Sequence, residues 1–118
     1  LSNWHSFFGT SDIGSVFGTD WEIGGHPWDN TEGYLRHSPI AHVANCKTPT
    51  LVLHSENDYR TPIEQGEQFY IALCNLGVPA QLVRFPGESH DLSRGGQPKH
   101  RRERYERILE WLGRYLKL

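Results

Sequence analysis

The clearest hydrophobic pattern in this chain is an almost uninterrupted apolar run, TLVLH, at residues 50–54. A short run without polar alternation is typical of a β-strand that is buried on both faces of a sheet. A second run, AQLVRFP at residues 80–86, has the same character. The two runs therefore predict two strands.

The stretch between these strands has the period of a helix. Thr61, Pro62 and Glu64 predict a capping box with proline at the first helical position. Gly77 and Pro79 predict the end of this helix. The apolar residues that recur on one helical face are Phe69, Ala72, Leu73 and Leu76.

An amphipathic helix is predicted over residues 99–117. The segment before it, GESHDLSRGGQP at residues 87–98, is rich in Gly, Ser and Pro and predicts a loop. The apolar stripe of the helix consists of Tyr105, Ile108, Leu109, Leu112, Tyr115 and Leu116. We expect this stripe and Trp111 to lie in the core rather than to bind a ligand.

Residues 1–35 show no sustained period of a strand or a helix, and we expect mostly irregular structure there. One short helix is predicted through EGYLRHS, capped by Asn30 or Thr31 and closed by Pro39.

Residues 36–118 thus have the order strand, helix, strand, helix, which predicts a parallel βαβ unit and an α/β fold. Only 36% of the 118 residues are hydrophobic, which is low for a chain that builds a core unaided. We therefore expect the chain to be part of a larger domain.

The net charge of -2 gives no general attraction to nucleic acids or anionic membranes. No stretch is apolar enough to span a bilayer, and LSNWHSFFGT lacks the pattern of a signal peptide. Cys46 and Cys74 suit buried thiols in a reducing compartment better than a disulfide. We expect a cytoplasmic protein that binds neither nucleic acid nor membrane.

Asp58 follows the first predicted strand and His90 follows the second. Because the carboxyl ends of parallel strands share one edge of a sheet, short loops can bring a carboxylate to an imidazole there. A carboxylate that accepts the Nδ1 proton of a histidine fixes its tautomer for general-base chemistry. The alternative is that Asp58 only forms a turn and that His90 is solvated.

The order Asp, then His, agrees with the order Ser, Asp, His of the α/β-hydrolase triad. The sequence contains no G-x-S-x-G, and no serine follows a strand and opens a helix. We therefore expect this chain to supply the acid and the histidine but to lack the nucleophile.

Other polar clusters carry less chemistry. The seven histidines and two cysteines include no H-x-x-x-H or C-x-x-C pair, so we expect no metal site. The segment KHRRER at residues 99–104 is basic. In this segment and after it, however, carboxylates stand four residues from arginines, so charges of opposite sign alternate and predict a solvated helical face. Arg60 and Arg94 either contact a substrate carboxylate or hold the two site loops together.

The segments HSENDYRTP, ESHDLSRGGQP and HRRERYERILEWLGRYL closely resemble the C-terminal end of the catalytic domain of the prolyl oligopeptidase family of serine peptidases. They look most like its acylaminoacyl-peptidase branch, and RHSPIAHVANCKTP also matches. The resemblance is strong over residues 36–118 and weaker before them. It implies an α/β-hydrolase domain normally preceded by a β-propeller, and it places Asp58 as triad acid and His90 as general base.

Three hypotheses follow from the residues and the resemblance. The first is a serine peptidase that hydrolyses short or N-acylated peptides without a cofactor, in which residues 1–118 are a C-terminal fragment of the catalytic domain. The second is a catalytically inert fragment that associates with further copies of itself or with the remainder of the enzyme, since unpaired strand edges and exposed helix faces favour association. The third is an esterase of the same fold.

Overall fold

The computed structural model describes residues 1–116. Strands β1 (Thr50–Ser55) and β2 (Ala80–Phe85) pair in parallel, with Thr50 opposite Ala80 and Ser55 opposite Phe85. Helix α4 (Glu64–Asn75) connects the two strands, and helix α6 (Pro98–Leu116) follows the second. The predicted parallel strand–helix–strand unit is confirmed, while the predicted end of the last helix at residue 117 lies outside the described residues.

Helix α4 begins two residues later than the predicted capping box, and no side chain caps its N-terminus. The Glu64 carboxylate instead accepts hydrogen bonds from the hydroxyls of Ser6, at 3.2 Å, and Thr10, at 3.3 Å. The capping-box prediction is therefore wrong, because Glu64 finds tertiary partners. The predicted end is confirmed: Gly77 has a φ of +71°, and the Val78 N–H closes the last turn.

The prediction that residues 1–35 are irregular is also wrong. The segment contains α1 (Trp4–Thr10), α2 (Gly14–Val16), a π-helical turn (Phe17–Glu22) and α3 (Thr31–Arg36). The short helix predicted near Asn30 is confirmed as α3, and the Asn30 side chain accepts a hydrogen bond from the Gly33 N–H at 3.1 Å. A 3-10 helix (Pro39–Asn45) then leads to β1.

Contacts from a distant helix explain why α1 forms without a clear hydrophobic period. Asn3 caps α1 by accepting hydrogen bonds from the backbone of His5 and Ser6. The Gln65 side chain of α4 is almost fully buried and accepts hydrogen bonds from the N–H groups of Ser2, at 2.9 Å, and Asn3, at 2.8 Å. These long-range bonds fix the start of α1 in a way that no local pattern reveals.

The predicted burial of the α6 stripe is wrong. Within the described residues Leu109 is 67% exposed and Tyr105 is 58% exposed, whereas Trp111 is buried at 8%. The sheet formed by residues 1–116 has only two strands, so β1 is half-buried rather than covered on both faces and most of the α6 stripe faces solvent. The buried hydrophobic residues are Phe7, Tyr34, Leu73, Val78, Phe85, Leu92 and Trp111.

Two smaller predictions also need correction. A short helix, α5 (Leu92–Gly95), lies inside the segment predicted as a loop. Cys46 is half-buried and Cys74 is exposed, so the two free thiols are not both buried as predicted. Among residues 1–116, no helix combines the length and the apolar character that a membrane crossing requires.

Candidate active site

Asp58 and His90 lie at the carboxyl edge of the sheet, in the loops that follow β1 and β2. Asp58 stands three residues beyond the end of β1, and His90 stands five beyond the end of β2. The Nδ1 atom of His90 lies 2.9 Å from Oδ2 of Asp58. Since a carboxylate only accepts hydrogen bonds, Nδ1 carries the proton in this pair. The structure thus brings together the two residues that the strand ends indicated.

The Asp58 carboxylate is buried, with 8% of its side chain exposed, and both of its oxygens have partners. Oδ1 accepts hydrogen bonds from the backbone N–H groups of Arg60, at 3.0 Å, and Thr61, at 2.7 Å. The turn-forming role and the histidine-pairing role are therefore not alternatives. One oxygen shapes the loop, and the other orients His90.

His90 is oriented by its partner but still reaches solvent. Its side chain is 53% exposed, and among residues 1–116 no hydrogen bond reaches its Nε2 atom. An imidazole that is held at Nδ1 and open at its other nitrogen is able to take a proton from a nucleophile within hydrogen-bond reach of Nε2. Asp58 and His90 also line an open cavity of about 420 Å³ between β1, α4 and α6.

His54 is a site residue that sequence reasoning missed. It is the histidine of the TLVLH run in β1, and its Nε2–H donates to the Thr61 carbonyl at 2.7 Å. The same nitrogen lies 4.0 Å from Oδ2 of Asp58. A polar side chain inside an otherwise apolar strand run was the signal for this residue. His54 holds the far end of the loop that carries Asp58.

Glycine at position 66 allows this arrangement. A Cβ atom at Gly66 would lie 2.6 Å from Nδ1 of His54, which is closer than real Cβ contacts come. Only a glycine lets helix α4 approach the strand at that point.

The two arginines near the site pair with carboxylates of the same protein. Nε of Arg60 lies 2.7 Å from Oδ1 of Asp12, and the Ser11 hydroxyl donates to the Arg60 carbonyl at 2.6 Å. The Arg60 guanidinium holds the pKa of the Asp12 carboxyl below its usual value. Arg94 is strongly exposed and pairs with Asp91. These contacts do not join the two site loops as predicted: Arg60 ties the loop of Asp58 to the segment after α1, and Arg94 pairs within its own loop.

Charged side chains on α6 pair with one another along the helix. On α6, Arg102 pairs with Glu106 at 2.7 Å, and Arg107 and Arg114 likewise pair with carboxylates on the same helix. The prediction of alternating charges on this helix is confirmed. Within residues 1–116 no three His, Cys, Asp or Glu side chains come together in the manner of a metal site.

Three known proteins are similar to this chain in sequence or structure. An uncharacterized peptidase, YuxL, of Bacillus subtilis (strain 168) is 47% identical over 116 residues, which are 98% of this chain and 18% of that protein. The uncomplexed structure of Pyrococcus horikoshii acylaminoacyl peptidase superposes with a TM-score of 0.93 at 38% identity, covering 99% of this chain and 19% of that one. The acylamino-acid-releasing enzyme of Arabidopsis thaliana is 40% identical over 81 residues, 69% of this chain and 10% of that protein.

The chain therefore spans 19% or less of the length of these three proteins. The model of the prolyl oligopeptidase family matches residues 1–118, including the N-terminal part where the resemblance was weaker. The chain belongs to the prolyl oligopeptidase family of serine-type peptidases and has the α/β-hydrolase fold.

Proposed function

We propose that Asp58 and His90 are the acid and the general base of a Ser-Asp-His peptidase. The observation that carries this proposal is the 2.9 Å contact between Nδ1 of His90 and a buried Asp58 carboxylate, with the opposite side of the imidazole open. A histidine that is oriented by a buried acid but has a free second nitrogen has the form of a general base. A solvated histidine without a function would need no such partner.

In this mechanism His90 Nε2 takes the hydroxyl proton of the nucleophilic serine as the serine attacks the acyl carbon. Asp58 stabilises the imidazolium, which then donates the proton to the leaving amine. In the second half of the reaction, His90 Nε2 takes a proton from water as the water attacks the acyl-enzyme, and then returns a proton to the serine oxygen. The sequence has no G-x-S-x-G, so the serine and the oxyanion-hole donors would belong to polypeptide outside these 118 residues.

The substrate class is proposed from the relatives. One similar protein is called an acylaminoacyl peptidase and another an acylamino-acid-releasing enzyme. By this similarity the present protein would hydrolyse short or N-acylated peptides and need no cofactor. Residues 1–118 would form the C-terminal part of a catalytic domain that a β-propeller normally precedes. The cytoplasmic location stays a prediction.

Kinetics of the complete enzyme, meaning a protein that contains this chain and the proposed serine, test the assignment. We expect Asp58→Ala and His90→Ala each to lower kcat by about 10³-fold or more on an N-acyl amino-acid anilide. Matched controls are Asp29→Ala and His42→Ala, which remove exposed side chains of the same type away from the two site loops. Near-normal turnover in either site variant would contradict the assignment. Parallel assays on simple esters separate a peptidase from an esterase of the same fold.

The exposed stripe of α6 favours a second candidate, which is association without catalysis. Leu109, Tyr105 and Leu116 are all more than half exposed, and the outer edges of β1 and β2 have no strand partner within residues 1–116. Such surfaces tend to pair with other chains. The partner would be a second copy or the remainder of the enzyme. Light scattering of the 118-residue chain tests this, since a monomer that unfolds cooperatively would contradict it.

A further inference from the structure

A second histidine–carboxylate pair, formed by His100 and Glu88, lies next to the pair of His90 and Asp58. Nδ1 of His100, in the first turns of α6, lies 2.5 Å from Oε1 of Glu88, and Glu88 stands two residues before His90. Glu88 is buried, with 5% of its side chain exposed, and His100 is mostly enclosed, with 13% exposed. The His100 ring also packs edge-on against Phe85, the last residue of β2.

Glu88 connects three segments of the site. Its carboxylate accepts a hydrogen bond from the Gln97 N–H at 3.1 Å, just before α6. Its backbone carbonyl accepts one from the Asn57 N–H at 2.9 Å, immediately before Asp58. One residue thus ties together the loop of the acid, the loop of the histidine and the start of α6.

The packing around this carboxylate leaves it little freedom. A Cβ atom at Gly96 would lie 2.7 Å from Oε2 of Glu88 and 2.6 Å from the Leu92 carbonyl. A buried carboxylate costs free energy unless it is hydrogen-bonded, so Glu88 holds His100 and Gln97 rather than moving into a void. The hydrogen bond from His100 keeps the pKa of Glu88 below its ordinary value.

We propose that Glu88 and His100 form a positioning pair, which fixes the segment 86–91 so that His90 Nδ1 stays aligned with Asp58. Neither residue touches the reacting atoms. Both act through His90, whose own side chain is too exposed to be held by packing. The catalytic consequence rests on the proposed function, whereas the mechanical consequence concerns only these loops.

Two variants of Glu88 separate charge and shape in the complete enzyme. Glu88→Ala removes the acceptor, and we expect kcat to fall roughly 10- to 100-fold with KM within about twofold, because a small displacement of a catalytic group lowers the rate rather than substrate binding. Glu88→Gln keeps an oxygen that accepts from His100 and Gln97, and we expect it to restore most of kcat. A kcat for Glu88→Gln as low as that for Glu88→Ala would overturn the proposal.

Val78→Ala is the matched control for a loss of stability alone. Val78 is buried in the turn before β2, two residues ahead of the strand and at its end opposite to His90. If Val78→Ala and Glu88→Ala lower Tm equally and also lower kcat equally, Glu88 is only structural and the proposal fails. If Glu88→Ala does not fold, His100→Ala takes its place, because it leaves the bond from Gln97 to Glu88. Wild-type kcat in that variant would overturn the proposal.

Hydrogen exchange of the complete enzyme gives a readout that does not require turnover. We expect Glu88→Ala to speed amide exchange in the segments 56–61 and 86–91 but not in residues 69–75 of α4. Wild-type exchange in both loops would overturn the positioning role even if the enzyme is an active peptidase. Faster exchange in both loops of an enzyme inactive on every acyl substrate would support the positioning role and reject the proposed function instead.

Discussion

The two histidine–carboxylate pairs differ in exposure and not in the bond they make. In both, Nδ1 of a histidine faces a buried carboxylate oxygen, at 2.9 Å for His90 and Asp58 and at 2.5 Å for His100 and Glu88. His90 is half exposed, whereas His100 is mostly enclosed. The same hydrogen bond therefore prepares one imidazole to react through its outer nitrogen and makes the other a fixed support.

The largest effect is expected from Asp58→Asn. The asparagine oxygen still accepts from the Arg60 and Thr61 N–H groups, but its amide donates where Asp58 Oδ2 accepted, so His90 adopts the wrong tautomer. We expect kcat to fall about 10³- to 10⁴-fold with little change in Tm. Steady-state kinetics and thermal unfolding of the complete enzyme measure both quantities. A decrease below about tenfold would mean that the tautomer of His90 does not matter.

Alanine at each histidine should give opposite results in activity and stability. His90→Ala removes a half-exposed ring and lets water reach Asp58 Oδ2 in its place, so we expect a small change in Tm but a loss of nearly all activity. His100→Ala leaves a buried carboxylate with one partner fewer, so we expect a clearly lower Tm and only a partial loss of kcat. If His90→Ala lowers Tm more than His100→Ala does, the assigned roles of the two pairs are reversed.

Acid should weaken the pair of Glu88 and His100 by protonating Glu88. Its pKa is lower in the folded protein than the usual value, mainly because of the hydrogen bond from His100. The resulting stabilisation is fully present above the unfolded pKa of about 4.3 and is lost as the pH falls through the lower folded pKa. We expect the difference in Tm between wild type and Glu88→Gln to shrink below about pH 4. Asp12→Asn, in the background of both proteins, removes the other carboxyl with a lowered pKa.

The smallest effect is expected from the ion pair between Arg60 and Asp12. Both side chains are about half exposed, and solvent weakens such a pair. The hydrogen bonds from the Ser11 hydroxyl to the Arg60 carbonyl and from the Asp12 N–H to the Tyr59 carbonyl remain when the charge is removed. We expect Arg60→Gln to change kcat by less than about threefold. A loss comparable to that of Glu88→Ala would show that the loop of Asp58 depends on this pair.

The pair of Asp58 and His90 could be predicted from the sequence, and the pair of Glu88 and His100 could not. Asp58 and His90 each follow a run that predicts a strand, and the ends of parallel strands meet at one edge. Glu88 and His100 are joined only through the packing of α6 against the end of β2, which no local spacing encodes. His54 was missed for a related reason, because its partner is a backbone carbonyl in the following loop.

The distinction between local patterns and long-range contacts also explains the errors in the predicted fold. The strands and α4 were predicted because their hydrophobic periods are strong and local. Helix α1 was missed because Gln65, far along the chain, holds Ser2 and Asn3 just before the helix. The stripe of α6 was predicted as core because a helical apolar face normally packs against something, and within residues 1–116 little is present to cover it.

Labelling of the complete enzyme with a fluorophosphonate tests whether His90 is the general base, because the reagent reacts with a serine only when a general base activates it. Intact mass spectrometry follows the adduct in wild type, His90→Ala and the control His42→Ala. We expect one adduct in wild type and in His42→Ala, and a labelling rate at least about 10³-fold lower in His90→Ala. Equal labelling rates in wild type and His90→Ala would contradict the claim that His90, held by Asp58, is the general base.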